Sequence, residues 1–66
     1  MTLEINNKKI VCPDNSDISS LLQFLNERTA GIGIAVNGKL IKKENWKDFF
    51  LNENDKVTIV KAAYGG

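Results

Sequence analysis

Very few side chains in this sequence could carry out covalent chemistry. It contains one cysteine, Cys12, and no histidine. A lone cysteine excludes an internal disulfide and a cysteine-pair metal site. Without an imidazole, neither a Ser/His/Asp triad nor a Cys/His nucleophile can be assembled, nor a histidine-based metal centre. No catalytic side chain, metal ligand or bound cofactor is therefore expected. Cys12 invites a reading as a redox or sulfur-handling thiol, but it sits at an inward position of the run KKIVC, with no basic residue beside it to favour the thiolate. Free cysteine is among the most buried residue types, and Cys12 reads as core.

What remains is the main chain itself. The sequence closes with VTIVKAAYGG, a run of strand-forming residues that leads straight into Gly65 and Gly66. At average glycine usage, two glycines in the last two places arise in roughly one chain in two hundred. That is a weak signal alone, and its position directly after a core-like strand strengthens it. The distinctive group there is the α-carboxylate of Gly66. Lacking Cβ atoms, Gly65 and Gly66 can enter a narrow cleft and be approached closely by another reactant. A carboxylate becomes reactive only when one of its oxygens is made a leaving group, for example by adenylation with ATP in a partner enzyme. Gly66 is thus the expected reacting residue, recognised together with Gly65 and Tyr64, while the catalyst lies elsewhere. On the outward face of the last strand, Val60 and Ala62 are the expected docking contacts; the alternative is that the surface apolar residues there are merely scattered.

The elements that must present this terminus follow from periodicity. Leu3 and Ile5 alternate with Thr2, Glu4 and Asn6, a strand with one buried face. Asn6-Asn7 reads as a hairpin turn leading into a second strand, which Pro13 ends. In DNSDISSLLQFLNERTAG, Ile18, Leu21, Leu22 and Leu25 form one apolar stripe. The spacing predicts a helix of about three turns, capped by Ser16 or Asp17, complemented by Arg28 and terminated at Gly31. Phe24 falls off the stripe. IGIAVNGKLI gives a third strand, an Asn37-Gly38 turn and a short return strand at Leu40-Ile41. Trp46, Phe49 and Phe50 suggest a helical turn or short strand that completes the core rather than an aromatic binding patch. Asn54-Asp55 reads as the turn before the last strand, whose buried face is Val57 and Ile59, with Thr58, Val60 and Ala62 pointing the other way. The order predicts one α+β domain spanning 1–66, a small mixed sheet covered by one helix, with 63–66 as a mobile tail.

Composition agrees with a folded domain and excludes several partners. Hydrophobic residues make up 42% and charged residues 26% of the chain, an ordinary globular profile. Nine Lys/Arg against eight Asp/Glu leave a net charge of +1. These charges are spread along the chain, with no basic stripe for nucleic acid or anionic lipid. Lys8-Lys9 and Lys42-Lys43 flank turns, where lysines normally serve solubility and edge protection. The start MTLEINN lacks a secretory signal and no stretch approaches the ~20 apolar residues of a membrane span, so no membrane partner and a cytoplasmic location are expected.

Over essentially its whole length the sequence resembles the ThiS sulfur carrier family of thiamine biosynthesis, within the ubiquitin-like β-grasp group. The resemblance rests on MTLEINN, the Cys12 strand, SDISSLLQFLNER, AVNGKLIKKENW, NENDKVTIV and the terminal Gly65-Gly66. It departs from the family at Lys42-Lys43, where Pro-Arg is common, and at Asn54-Asp55, where Gly-Asp is common. Asn tolerates left-handed backbone, so the second change should preserve the turn. The resemblance implies a β-grasp fold with the last strand parallel beside the first. It also implies that an E1-like adenylyltransferase of the ThiF type uses ATP-Mg to adenylate Gly66 and that sulfur from a persulfide donor displaces AMP. The resulting thiocarboxylate would then serve a thiazole synthase of the ThiG type. The carrier is then a protein substrate, not an enzyme. A molybdopterin-synthase small subunit, another sulfur carrier or a ubiquitin-like modifier are the alternatives that the same terminus allows.

Overall fold

The computed structural model describes residues 1–61. Ala62, Tyr64, Gly65, Gly66 and the tail expected at 63–66 lie outside the described residues. The elements are β1 (Thr2–Ile5), β2 (Lys8–Val11), α1 (Ile18–Phe24), β3 (Ile32–Val36), β4 (Lys39–Ile41), a 3-10 helix (Lys43–Asp48) and β5 (Lys56–Lys61). The five strands form one sheet in the order β2-β1-β5-β3-β4. Every neighbouring pair is antiparallel except β1 and β5, which run parallel with Ile5 opposite Val57. The architecture is the expected α+β one, with a mixed sheet and a single covering helix.

Strand alternation sends Leu3, Ile5, Ile34, Val36, Ile41, Val57 and Ile59 to one face of the sheet, where they are buried together with Ile18, Leu21 and Leu22 of α1. Burial of apolar side chains of this size supplies the main driving force for folding. Asp17, rather than Ser16, caps α1, accepting the Ser20 N–H at 2.6 Å. Ser16 instead turns inward and donates to the Pro13 carbonyl at 2.7 Å.

Two local expectations are corrected. The helix is seven residues long, about two turns, and it stops well before Gly31. Asn26 takes a φ of +58°. The Asn26 N–H bonds to the Gln23 carbonyl and the Glu27 N–H reaches back to Leu22, the paired bonds of a Schellman cap. Arg28 consequently lies in the following loop, and Gly31, at φ +73°, serves the entry to β3 instead.

The aromatic cluster also divides. Trp46 is 3% exposed, with its indole N–H donating to the Ile41 carbonyl at 3.0 Å, and Phe49 is half-buried against the core. Phe50 is 58% exposed, so it does not complete the core. Phe49 has extended backbone, and successive side chains on an extended segment point to opposite sides. Phe24 is exposed as well.

Turn chemistry accounts for the remaining connections. All six non-glycine residues with positive φ among those described are asparagines: Asn6, Asn7, Asn15, Asn26, Asn37 and Asn54. Asn is the side-chain-bearing residue best suited to left-handed backbone. Asn54, at φ +68°, shows that the departure from glycine at that turn keeps its geometry. Lys42 has φ −64°, the value a proline ring imposes, so lysine there keeps the backbone that a proline would set.

Candidate functional site

Only one face of the sheet is covered by α1. Residues paired across neighbouring strands share a face, so the registers define the open one. They bring Leu40 of β4 beside Ala35 of β3, Ala35 beside Thr58 of β5, and Gly33 of β3 beside Val60 of β5. Leu40 is 72% exposed and Val60 58%. A Cβ placed on Gly33 would meet nothing within 4 Å. Neither packing nor backbone geometry therefore requires glycine at this position. The other half of the open face is mostly charged, apart from Val11, which is 73% exposed opposite Thr2. Lys9 lies opposite Glu4 and Glu4 opposite Lys56, with Lys56 Nζ 3.5 Å from Glu4 Oε2. An apolar corner of Leu40, Ala35 and Val60 thus adjoins a polar half on the strand that leads toward residues 62–66.

Of the residues expected from the sequence to act, Val60 is the one described, and it lies in this corner. Gly66, Gly65, Tyr64 and Ala62 are outside the described residues. Leu40 and Gly33 escaped the sequence reading, because their place beside Val60 depends on strand pairing rather than on spacing along the chain.

The same strand is fixed in register by two turn asparagines whose side chains reach across to it. Along β1, the Glu4 N–H donates to the Asp55 carbonyl and the Asn6 N–H to the Val57 carbonyl, both at 3.0 Å. The Asn6 side chain then takes over the ladder. Its Oδ1 accepts the Ile59 N–H at 2.8 Å and its Nδ2 donates to the Ile59 carbonyl at 3.3 Å. From the β3 side, Asn37 Oδ1 accepts the Lys56 N–H at 3.0 Å while its Nδ2 donates to Asp55 Oδ1 at 3.1 Å. Asn37 holds the start of β5 and Asn6 holds its far half. Sequence reasoning identified both only as turn formers.

Cys12 is buried, 4% exposed, as its position in the KKIVC run implied. Burial, which disfavours the thiolate, pushes its pKa up, against a smaller opposing pull from the terminal ammonium. Native protein should consequently react with a thiol-alkylating reagent at neutral pH at least about tenfold more slowly than unfolded protein. The raised pKa also links the thiol to stability. Its contribution is fully present below the ordinary thiol pKa and is lost as pH rises through the higher native value. Urea titrations of wild type and Cys12→Ala should accordingly show a steeper alkaline decline in the wild type.

Among the described residues there is no group of three or more His, Cys, Asp or Glu side chains that could hold a metal ion. None of the described helices is long and apolar enough to cross a membrane.

Comparison with known proteins extends over the whole chain. The ThiS family model matches residues 2–66. The sequence is 24% identical over 66 residues to the sulfur carrier protein ThiS of Escherichia coli K12, covering all of both chains. It is 26% identical to the uncharacterized protein ycf40 of Porphyra purpurea, covering all of this chain and 93% of that protein. Its fold superposes on the crystal structure of the thiamine biosynthesis protein ThiS from Geobacter metallireducens with a TM-score of 0.87, at 22% identity and full coverage of both chains. On the solution structure of a thiamine biosynthesis protein from the same organism the TM-score is 0.81, again at 22% identity, covering all of this chain and 88% of that one. These likenesses give the β-grasp fold.

Proposed function

The chain belongs to the ThiS family, and on that premise we propose that it is a sulfur carrier of thiamine biosynthesis whose Gly66 carboxylate bears the sulfur. The observation that carries this reading is the family match, which runs through Gly66. The E. coli relative named as a sulfur carrier supports it, since the two align over the full length of both.

The chemistry follows from what a carboxylate needs. A carboxylate oxygen of Gly66 attacks the α-phosphorus of ATP in an adenylyltransferase, forming an acyl-adenylate and releasing pyrophosphate. A persulfide sulfur then attacks the activated carbonyl and expels AMP. A thiol cleaves the resulting acyl disulfide, leaving the thiocarboxylate on Gly66. Gly65 and Gly66 suit this role because neither carries a Cβ to obstruct a narrow site. The chain contributes no general acid or base: it is the substrate, ATP-Mg belongs to the partner, and the buried thiol of Cys12 takes no part. Thiazole synthase is the acceptor on this reading, and the cytoplasm is where carrier and partners meet. Presented with loaded carrier, a thiazole synthase should take up the sulfur while a molybdopterin-synthase large subunit should not. The reverse preference would assign the carrier to the other route.

Docking uses the apolar corner of the open face formed by Val60, Ala35 and Leu40, together with Ala62, two residues further along the sequence. Apolar contacts in the middle of an interface dominate its energetics, and a charge placed there is poorly tolerated. Val60→Asp should weaken binding to the adenylyltransferase about tenfold or more while leaving the thermal midpoint nearly unchanged, because Val60 is exposed. Titration calorimetry with the partner is the check, and unchanged affinity would remove this face from the account.

A further inference from the structure

Lys61 is the last described residue of β5 and pairs with Ile32, the first residue of β3. Its side chain lies on the side of the sheet opposite Val60, toward the end of α1, and its Nζ stands 3.2 Å from Glu27 Oε1. Glu27 is not on a loose loop. Its N–H is tied to the Leu22 carbonyl at 2.9 Å by the Asn26-centred cap, and Leu22 is fully buried. The Glu27 side chain is itself only 29% exposed. Arg28 and Lys61 line the same surface depression as Glu27, so the carboxylate sits in a neighbourhood that otherwise carries two cations.

We propose that the Glu27–Lys61 ion pair is a positioning device for the reacting terminus, anchoring Lys61 of β5, which precedes Gly66 by five residues, to the end of α1. This inference rests on the carrier reading above. An exposed ion pair contributes little to the stability of a whole domain, but here it acts at a sheet end, where local opening is easiest. The chain must deliver its carboxylate into another protein's site while Val60 and its neighbours hold the docking face. A fixed Lys61 keeps those two requirements in register, as orientation of a reacting group generally demands. Without the Glu27 carboxylate, Lys61 loses the one ion-pair partner it has among the described residues, while Arg28 still lines the same depression.

The test is the steady-state loading reaction with adenylyltransferase, ATP-Mg and a persulfide donor, for wild type, Glu27→Gln, Lys61→Gln and the exchanged pair Glu27→Lys/Lys61→Glu. Each single substitution should lower kcat by roughly two- to fivefold, the scale of an exposed ion pair, with KM for the carrier unchanged. The exchanged pair should recover most of the loss, and high salt should narrow the gap between wild type and the single variants. Hydrogen exchange at the Gly33 and Val60 amides should accelerate in the singles and slow again in the exchanged pair. Two results overturn the proposal: wild-type kcat in both single variants, or loss in Lys61→Gln alone with no recovery on exchange, which would mean that Lys61 touches the partner directly. Wild-type chain that takes up no sulfur at all overturns the carrier reading, and with it the pair's role in loading. Normal wild-type loading that is indifferent to every variant overturns the pair's role alone.

Discussion

A chain extended by a single alanine beyond Gly66 should take up no sulfur. The extension should leave the packed part of the protein unchanged, because among the described residues every buried core side chain belongs to residues 3–59. It does remove the α-carboxylate from Gly66, turning it into an amide carbonyl that ATP cannot activate in the same way. The new carboxylate sits one residue further out and carries a Cβ beside it, which a cleft shaped for diglycine would exclude. The expected outcome is complete loss of loading by intact mass, with circular dichroism and thermal midpoint indistinguishable from wild type. Binding to the adenylyltransferase should fall much less than loading, since the proposed docking face is intact. Loading of the extended chain at an appreciable rate would place the reacting group somewhere other than the end of the chain.

Asn6→Ala should be the most damaging conservative change in the sheet, at a cost of about 2–4 kcal/mol. Two effects combine. The side chain makes both hydrogen bonds to the backbone of Ile59, at 2.8 and 3.3 Å, and both are partly buried. Truncation leaves an N–H and a carbonyl of the central strand without partners. Asn6 also has a φ of +49°, which alanine adopts only at a cost of about 1 kcal/mol or more. For a domain of this size total stability is expected to be roughly 3–10 kcal/mol, so the variant forfeits a large share of it. Asn6→Gly separates the two effects, since glycine accepts the backbone angle but cannot bridge to Ile59; it should fall between wild type and Asn6→Ala. Urea unfolding of the three proteins measures the series. A loss below about 1 kcal/mol for Asn6→Ala would mean that the side-chain clip carries little weight.

Asn6 also shows where sequence reasoning reached and where it stopped. Its suitability for a tight turn is local and could be read from residue type, as could the alternation of Leu3 and Ile5 or of Val57 and Ile59. The same was true of the stripe formed by Ile18, Leu21 and Leu22. Its second role, holding Ile59, spans 53 residues, and no local pattern carries that. The helix end was misplaced for a related reason. Asn26 and Gly31 can both take left-handed backbone, and the choice between them was made by the bond from the Glu27 N–H to Leu22, which spacing does not reveal. Phe49 and Phe50 looked alike until the extended backbone at Phe49 sent one inward and the other out. At the candidate site, Gly66 could be proposed from residue type and position alone, whereas the corner formed by Leu40, Ala35 and Val60 exists only once β4, β3 and β5 are in register.

The most direct measurement of the central claim is the intact mass of the wild-type chain after incubation with adenylyltransferase, ATP-Mg and a persulfide donor. A carrier loaded at Gly66 gains the mass difference between one sulfur and one oxygen, and fragmentation maps that gain to the last residue. An unchanged mass with an adenylyltransferase that is active on its own carrier, or the addition of a whole sulfur atom at Cys12, would contradict it.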